Sequence, residues 1–293
     1  MITIQSANNA LKQVYLDVLR YHLNNTDGLI SKIKQTTKSV YGKEIFVPIY
    51  VNGISYTLRQ EVESICATIE ISDKAIRCSQ NSAGAFVNLI NNEMECLLKD
   101  TTRRIINSFY SEDRPPNWLS KKEEYIPLQI SGLKHLFDDT QPILYGVERE
   151  KISPKVAHIK EFDPIQIKEV IDEYNDEVDF IVCSSSTKRK YEQYLFNHKQ
   201  IIERKQLYDG FNYLVFNGNL IMCPHKNLPD NEIYLINSKD FKFHQLCDWQ
   251  WLENENGEIL KQDNGKPIYK ATLVKYGNYM CEAPNMQVKI IID

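Results

Sequence analysis

Apolar positions along this chain change period several times, and each change predicts a different element. Leu11, Tyr15, Val18, Leu19 and His22 recur at helical spacing until Asn24-Asn25-Thr26-Asp27-Gly28 interrupts them. Beyond Gly42 the period becomes two: Ile45, Val47, Ile49 and Val51 alternate, Asn52-Gly53 intervenes, and Ile54, Tyr56 and Leu58 resume. Asn-Gly between alternating runs predicts a hairpin, because both turn residues must take positive φ. Pro48 cannot donate to a ladder, which places the first strand at a sheet edge. The reading is a protruding hairpin over 43–70 with Asn52-Gly53 at its tip.

The longest regular element comes next. Ser82 is placed to cap a helix running to about Tyr110, with Phe86, Leu89, Ile90, Leu97, Leu98, Ile105 and Phe109 on one face and Asn91, Glu95, Lys99 and Arg103 on the other. At 1.5 Å per residue it would be ~40 Å long, enough to span a domain. Pro115-Pro116 is expected to end it.

From Asp163 the elements shorten. Asp163-Pro164 reads as a cap with proline at the first helical position, and Ile167, Val170, Ile171 and Tyr174 supply a buried face. Phe180-Ile181-Val182-Cys183 is a continuous apolar strand, and Ser186 or Thr187 opens a further amphipathic helix. Strands are expected at Tyr213–Phe216 and Leu220–Cys223 around Asn217-Gly218, and at Ile233–Ile236. The tail is β-rich, with turns at Asn256-Gly257 and Asn264-Gly265 and a last strand at Val288–Ile292. Helices and hairpin first, then a mixed sheet, make an α+β protein.

Composition removes several functions from consideration. A quarter of the 293 residues are charged and 42% are hydrophobic, a globular balance that is neither disordered nor fibrous. The net charge of -4 is spread along the chain, whereas a protein gripping nucleic acid through its phosphates carries a basic stripe. Lys188-Arg189-Lys190 and Arg204-Lys205 read as solvated faces. Seven unpaired cysteines without a CxxC fit reduced thiols and a cytosolic product better than a disulfide framework. Met1 to Asn9 lacks the apolar core of a signal peptide, and no run approaches the ~20 apolar residues of a membrane span.

Catalytic motifs are missing. There is no G-x-G-x-x-G, phosphate loop or G-x-S-x-G. Ser184-Ser185-Ser186 sits between a strand and a helix but lacks the glycines of a ligand turn, so it reads as a cap. Cys223, His225, His244 and Cys247 are zinc-type ligands at spacings foreign to common zinc sites. Trp249 and Trp251 place two indoles on one face of an extended segment, suited to core or interface packing before base stacking. Neither a metal nor a cofactor is expected.

Ten segments stand in a distinctive order. The first five are Glu70-Ile71-Ser72-Asp73-Lys74-Ala75-Ile76-Arg77, Ser82 to Leu89, Glu93-Met94-Glu95, Ser131-Gly132-Leu133-Lys134 and Tyr145-Gly146. The others are Asp179 to Ser184, Phe216-Asn217-Gly218, Glu232 to Asn237, Asp248 to Leu252 and Ala271 to Tyr276. In these segments the chain resembles the major capsid proteins of tailed phages and prophages of Gram-positive bacteria. The resemblance implies the Hong Kong 97-type capsid fold. Its implied parts here are an N-terminal arm (1–42), an extended hairpin loop (43–71), a peripheral domain with the spine helix (72–162), an axial domain (163–270) and strands returning to the periphery (271–293). The hairpin is compact for that family, with Gly53 as its only glycine.

What the resemblance implies is a structural subunit and not an enzyme. It would assemble with itself into hexamers and pentamers of an icosahedral head, enclosing double-stranded DNA without sequence-specific binding. Portal, scaffold or cement proteins would be its partners, the virion its place, and no membrane would be involved. Asn52, Gly53, Tyr56, Trp249 and Trp251 are the expected inter-subunit contacts. A shell of the same fold, an encapsulin-like bacterial compartment, is the nearest alternative. A metal-dependent nucleic-acid-processing enzyme using Asp163, Asp179 and Asp248 is the alternative of another class.

Overall fold

The computed structural model describes residues 8–9, 11–79, 82–111, 128–175, 177–263 and 265–293. A π-helical segment, Leu11–Tyr15, leads into helix α1, Leu16–Asn24. Leu11, Leu19 and Leu23 face inward, while Val18 and His22 of the expected stripe are exposed. Strands β1 (Lys34–Thr36) and β2 (Val40–Tyr41) follow, then β3 (Glu44–Val51) and β4 (Ile54–Glu61), which form the expected hairpin. Asn52 and Gly53 take φ of 51° and 79°, the left-handed pair that Asn-Gly tolerates best. Strand β2 covers only the Glu44–Ile45 end of β3, so Pro48 does lie on an open edge.

The hairpin is shorter than the 43–70 span. It ends at Glu61, and strand β5 (Glu63–Ser72) pairs instead with a long C-terminal strand in the register Ser72↔Ile268 to Glu63↔Gly277. The alternation of Ile65, Ala67, Ile69 and Ile71 marks a strand but does not identify its partner. Helices α2 (Asp73–Ser79) and α3 (Ala83–Tyr110) follow. Ser82 Oγ accepts from Ala85 N, the predicted cap, and the 28 residues of α3 span ~42 Å at 1.5 Å per residue. Phe86, Ile90, Leu97, Ile105 and Phe109 are buried, as is Met94. Pro115-Pro116 lies outside the described residues.

Helix α4 (Leu133–Phe137), the short strands β6 (Ile143–Leu144) and β7 (Val147–Glu148) and helix α5 (Arg149–Ile152) form a small platform. Then come β8 (Lys155–Ile159), α6 (Pro164–Tyr174), β9 (Phe180–Cys183) and α7 (Ser185–Asn197). Asp163 caps α6 as expected, with Ile165 N donating to Oδ1 at 2.9 Å. Helix α7 starts earlier than Ser186: Ser184 is its cap, accepting from Thr187 N at 3.1 Å.

Strands β10 (Arg204–Gln206), β11 (Asn212–Phe216), β12 (Leu220–Pro224) and β13 (Glu232–Ile236) continue the chain. After them come β14 (Phe241–Trp251), β15 (Lys261–Gln262), β16 (Ile268–Cys281) and β17 (Val288–Ile292).

Two large sheets organise the molecule. One has the order β10-β11-β12-β9-β13-β17-β8; in the other β16 lies between β14 and β5, with β1 beside β14. The central strands of the first, β9, β12 and β13, are buried on both faces, which explains the unbroken apolar run of β9. Phe180 and Val182 join the core shared with α3, while Ile181 and Cys183 pack beneath α6 and α7 with Ile167, Tyr191 and Leu195. Strand β14 leaves the seven-stranded sheet for β16, and β17 returns to pair with β8 and β13. A strand's period shows that it is half-buried but not which sheet receives it.

Candidate assembly surfaces

The hairpin has one dry face and one wet one. Ile45, Val47, Ile49, Val51 and Leu58 are buried, and Tyr56 is half-buried on that side. The face does not project freely, as the sequence had suggested; it lies on the platform of its own subunit. Arg59 N donates to Tyr145 O at 2.7 Å, and a Cβ on Gly146 would sit 3.3 Å from the Arg59 Cβ. An apolar strand face has to be covered, and Leu144, Tyr145 and Ile152 share its core. Arg149, itself buried, holds this platform together by donating to the carbonyls of Leu136 (2.8 Å), His135 (3.2 Å) and Gln141 (2.8 Å). Nothing in its sequence neighbourhood singles it out.

Exposed apolar side chains gather at three places. At the hairpin tip Tyr50 and Ile54 flank Asn52-Gly53 at 78% and 56% exposure. The last turn of α7 carries Phe196 at 77% exposure, and the link from there to β10 carries Ile201 at 85%, with Ile202 beside it. Val14, Val18 and Tyr21 recur at helical spacing on the outer face of the N-terminal helix. That third group continues into Tyr208: the Tyr21 hydroxyl donates to Tyr208 O at 3.3 Å, and Lys32 Nζ stands 4.6 Å above the Tyr208 ring. Single exposed apolar residues need no explanation, but groups of them mark contact surfaces.

Trp249 and Trp251 are not at any of these surfaces. They are 1% and 6% exposed, and they clasp the N-terminal helix. Trp249 Nε1 donates to Asn24 Oδ1 at 3.1 Å, and Trp251 Nε1 to Leu11 O at 3.2 Å. Large indoles with one donor suit a buried seam with a few fixed acceptors, and the inter-subunit role expected of both passes to packing within the chain.

The carboxylates of the alternative reading are separated, each with its own task. Asp163 caps α6, Asp179 accepts from Ser238 N at 2.7 Å, and Asp248 faces Lys275 at 3.3 Å. Cys223 lies on β12 and His225 just beyond it, while His244 and Cys247 lie on β14 of the other sheet. Among the described residues no group of three or more His, Cys, Asp or Glu is placed to hold a metal ion. No described helix is long and apolar enough to cross a membrane. The two basic clusters are solvated at their ends, with Lys188 and Arg204 each 3.7 Å from Glu192.

One polar junction escapes sequence reading. Asp27, from the arm, accepts from Tyr110 at the end of α3 (2.5 Å) and from Leu29 N (3.0 Å), with Cys223 of β12 at 3.5 Å. Burial pushes its carboxyl above the usual range, against the pull of those hydrogen bonds. Arm, long helix and seven-stranded sheet meet at this carboxyl. The loop residues Asn24 to Gly28 signal only a helix stop, so their role as a hub is set by tertiary contact.

No protein-family model matches the chain, and no curated protein matches it by sequence. Its fold does match solved shells. With the capsid of cyanophage A-1(L) the TM-score is 0.62 at 8% identity, covering 90% of this chain and 92% of that one. With the holo-SrpI encapsulin complex from Synechococcus elongatus PCC 7942 it is 0.58 at 11% identity, covering 90% and 87%. With the capsid of a native GTA particle it is 0.52 at 9% identity, covering 92% and 90%. The chain has the α+β fold of these shells, the Hong Kong 97-type capsid fold, along nearly its whole length.

Proposed function

We propose that this chain is a shell-forming structural subunit, and specifically the major capsid protein of a tailed phage. The observation that carries the reading is the near-complete superposition on a phage capsid chain of similar length, 90% of one covering 92% of the other. The order of parts supports it: arm, hairpin, 28-residue helix, seven-stranded sheet. Three apolar patches on separate elements give a tile several edges with which to meet its neighbours. Head-to-tail contacts close into rings when the rotation permits, here hexamers and pentamers. Asn52 and Gly53 at the hairpin tip would touch an adjacent subunit. Enclosed double-stranded DNA needs a wall that does not hold it tightly, and a net charge of -4 serves that. Portal, scaffold or cement proteins would be its partners, and the virion its place.

The likeness to the SrpI encapsulin supports a second reading, a compartment around a protein cargo. Negative-stain microscopy of the chain expressed alone, and with the products of its neighbouring genes, tests both. Closed regular particles are expected; a chain that stays monomeric in both settings would overturn shell formation. Particles isolated from the native source should yield nuclease-protected double-stranded DNA, whereas a protein cargo without DNA would establish the compartment.

A further inference from the structure

Beneath α1, three polar side chains from distant parts of the chain meet in an apolar setting. Asn24 ends α1, Asp248 lies on β14 and Lys275 on β16. Lys275 is only 4% exposed. Its Nζ lies 2.7 Å from Asn24 Oδ1 and 3.3 Å from Asp248 Oδ1. The rings of Phe243 and Trp249 wall the amine, with centroids 4.5 and 5.9 Å away. The orientation of the Asn24 amide is determined by its partners. Oδ1 takes the lysine and the Trp249 indole N–H (3.1 Å), and Nδ2 donates to both Asp248 oxygens at 3.1 and 3.4 Å.

Each part of an amide-transfer site is present. A hydrogen bond of 2.7 Å to the amide oxygen puts the amine roughly 3–4 Å from the amide carbon, close to the separation from which such bonds form. Burial lowers the Lys275 amine to about 8, with Asp248 opposing, so the nucleophilic neutral form is within reach. Burial pushes the Asp248 carboxyl up, but Lys275, the Trp249 amide and Asn24 together hold it below the usual range. It therefore rests as a base. The indole N–H is already aimed at the oxygen on which charge would develop. A small cavity lined by Leu23, Ile30, Ile65, Trp249 and Lys275 borders the cluster.

We infer that Lys275 and Asn24 join through an intramolecular isopeptide bond, with Asp248 carrying protons and Trp249 holding the amide oxygen. Asp248 takes a proton from the lysine ammonium, and the neutral Nζ attacks Cγ of Asn24. Negative charge on Oδ1 is met by the Trp249 N–H. The Cγ–Nδ2 bond breaks as the new Nζ–Cγ bond is completed. Both protons shed by the lysine nitrogen end on the departing nitrogen, one through Asp248, which returns to its carboxylate. One ammonium ion leaves, and neither an oxidant nor a second substrate is required. The bond would weld the end of α1 to β16 across 251 positions of sequence, in a chain whose described cysteines are all free. It stands apart from shell formation, since all its atoms belong to one chain.

Intact-mass spectrometry of the denatured full-length chain tests this directly. The folded wild-type protein should be lighter than its sequence by one ammonia, and a digest should contain a branched peptide joining the segments around Asn24 and Lys275. Lys275→Arg and Asp248→Asn should each show the full unmodified mass. An unmodified wild-type mass after prolonged incubation of the folded protein would overturn the inference. So would an ammonia loss that survives in Lys275→Arg, because Asn24 would then be closing on its own backbone.

Discussion

The Tyr110 hydroxyl, at the last turn of the long helix, donates to Asp27 Oδ1 at 2.5 Å and ties the arm to the spine. The same ring stacks on His225 of the seven-stranded sheet, with centroids 4.7 Å apart. Two titratable groups thus flank one tyrosine, and their pH dependences have opposite signs.

Asp27 is expected to weaken the fold as pH rises. Burial lifts its carboxyl above the ordinary 3.8, so the folded chain keeps a proton that the unfolded chain has already lost. The contribution is fully present below that ordinary value and is lost as pH climbs through the folded one. Asp27→Asn keeps an oxygen for Tyr110 and Leu29 but cannot ionise. The difference in Tm between variant and wild type should therefore grow in the variant's favour from pH 4 towards neutrality. Thermal melts across that range check it; a difference that shrinks with pH would mean the carboxyl is not desolvated.

His225 should act in the other direction. Burial lowers it from 6.5 to about 4, with Lys226 adding to the shift, so the unfolded chain takes up a proton that the folded chain refuses. Its contribution is intact above 6.5 and is lost as pH falls towards 4. His225→Phe, which keeps an aromatic partner for Tyr110, should lose less Tm than the wild type between those two values. Equal acid sensitivity in both proteins would refute the assignment.

Gly132 should tolerate nothing larger. A Cβ there would lie 2.0 Å from Phe109 O and 2.5 Å from Phe109 Cα, both backbone atoms of α3. The platform leading to the hairpin seat passes this close to the spine. Gly132→Ala should cost about 3 kcal/mol, or roughly 5 °C in Tm. Gly53→Ala is the contrast: its Cβ meets nothing within 4 Å, and φ of 79° alone should cost about 1 kcal/mol. Denaturant melts of both variants separate crowding from backbone strain.

Local chemistry was legible in the sequence, and long-range pairing was not. Ser82, Asp163-Pro164, Asn52-Gly53 and Asn217-Gly218 each act on neighbours within four residues, and each stands where it was expected. Trp249 and Trp251 misled because an aromatic pair on an extended segment suits a surface or a seam equally well. Only the position of α1, some 225 residues earlier in sequence, decides for the seam. Arg149 and Asp27 were invisible for the same reason: three carbonyls of the platform and a tyrosine 83 positions away give them their roles. The assembly patches are legible only as residues left uncovered once everything else has packed.

The hairpin tip offers the sharpest test of how subunits meet. Its inner face is held to the platform through Leu58, Val47 and the Arg59–Tyr145 hydrogen bond, so changes at the outer tip should leave the fold unaltered. Tyr50 and Ile54 lie next to the turn at 78% and 56% exposure and touch little of their own chain. Removing them costs the subunit little, since surface substitutions away from buried features shift stability by about 0.5 kcal/mol or less. In a shell they would be buried, and each large apolar side chain desolvated there contributes on the order of 1.5–3 kcal/mol. Tyr50→Ser with Ile54→Ser should therefore keep the wild-type Tm and circular dichroism as a subunit, yet fail to form closed particles by light scattering and microscopy. Normal particles from that double variant would place the inter-subunit contact elsewhere, with the Phe196–Ile202 turn the next surface to change.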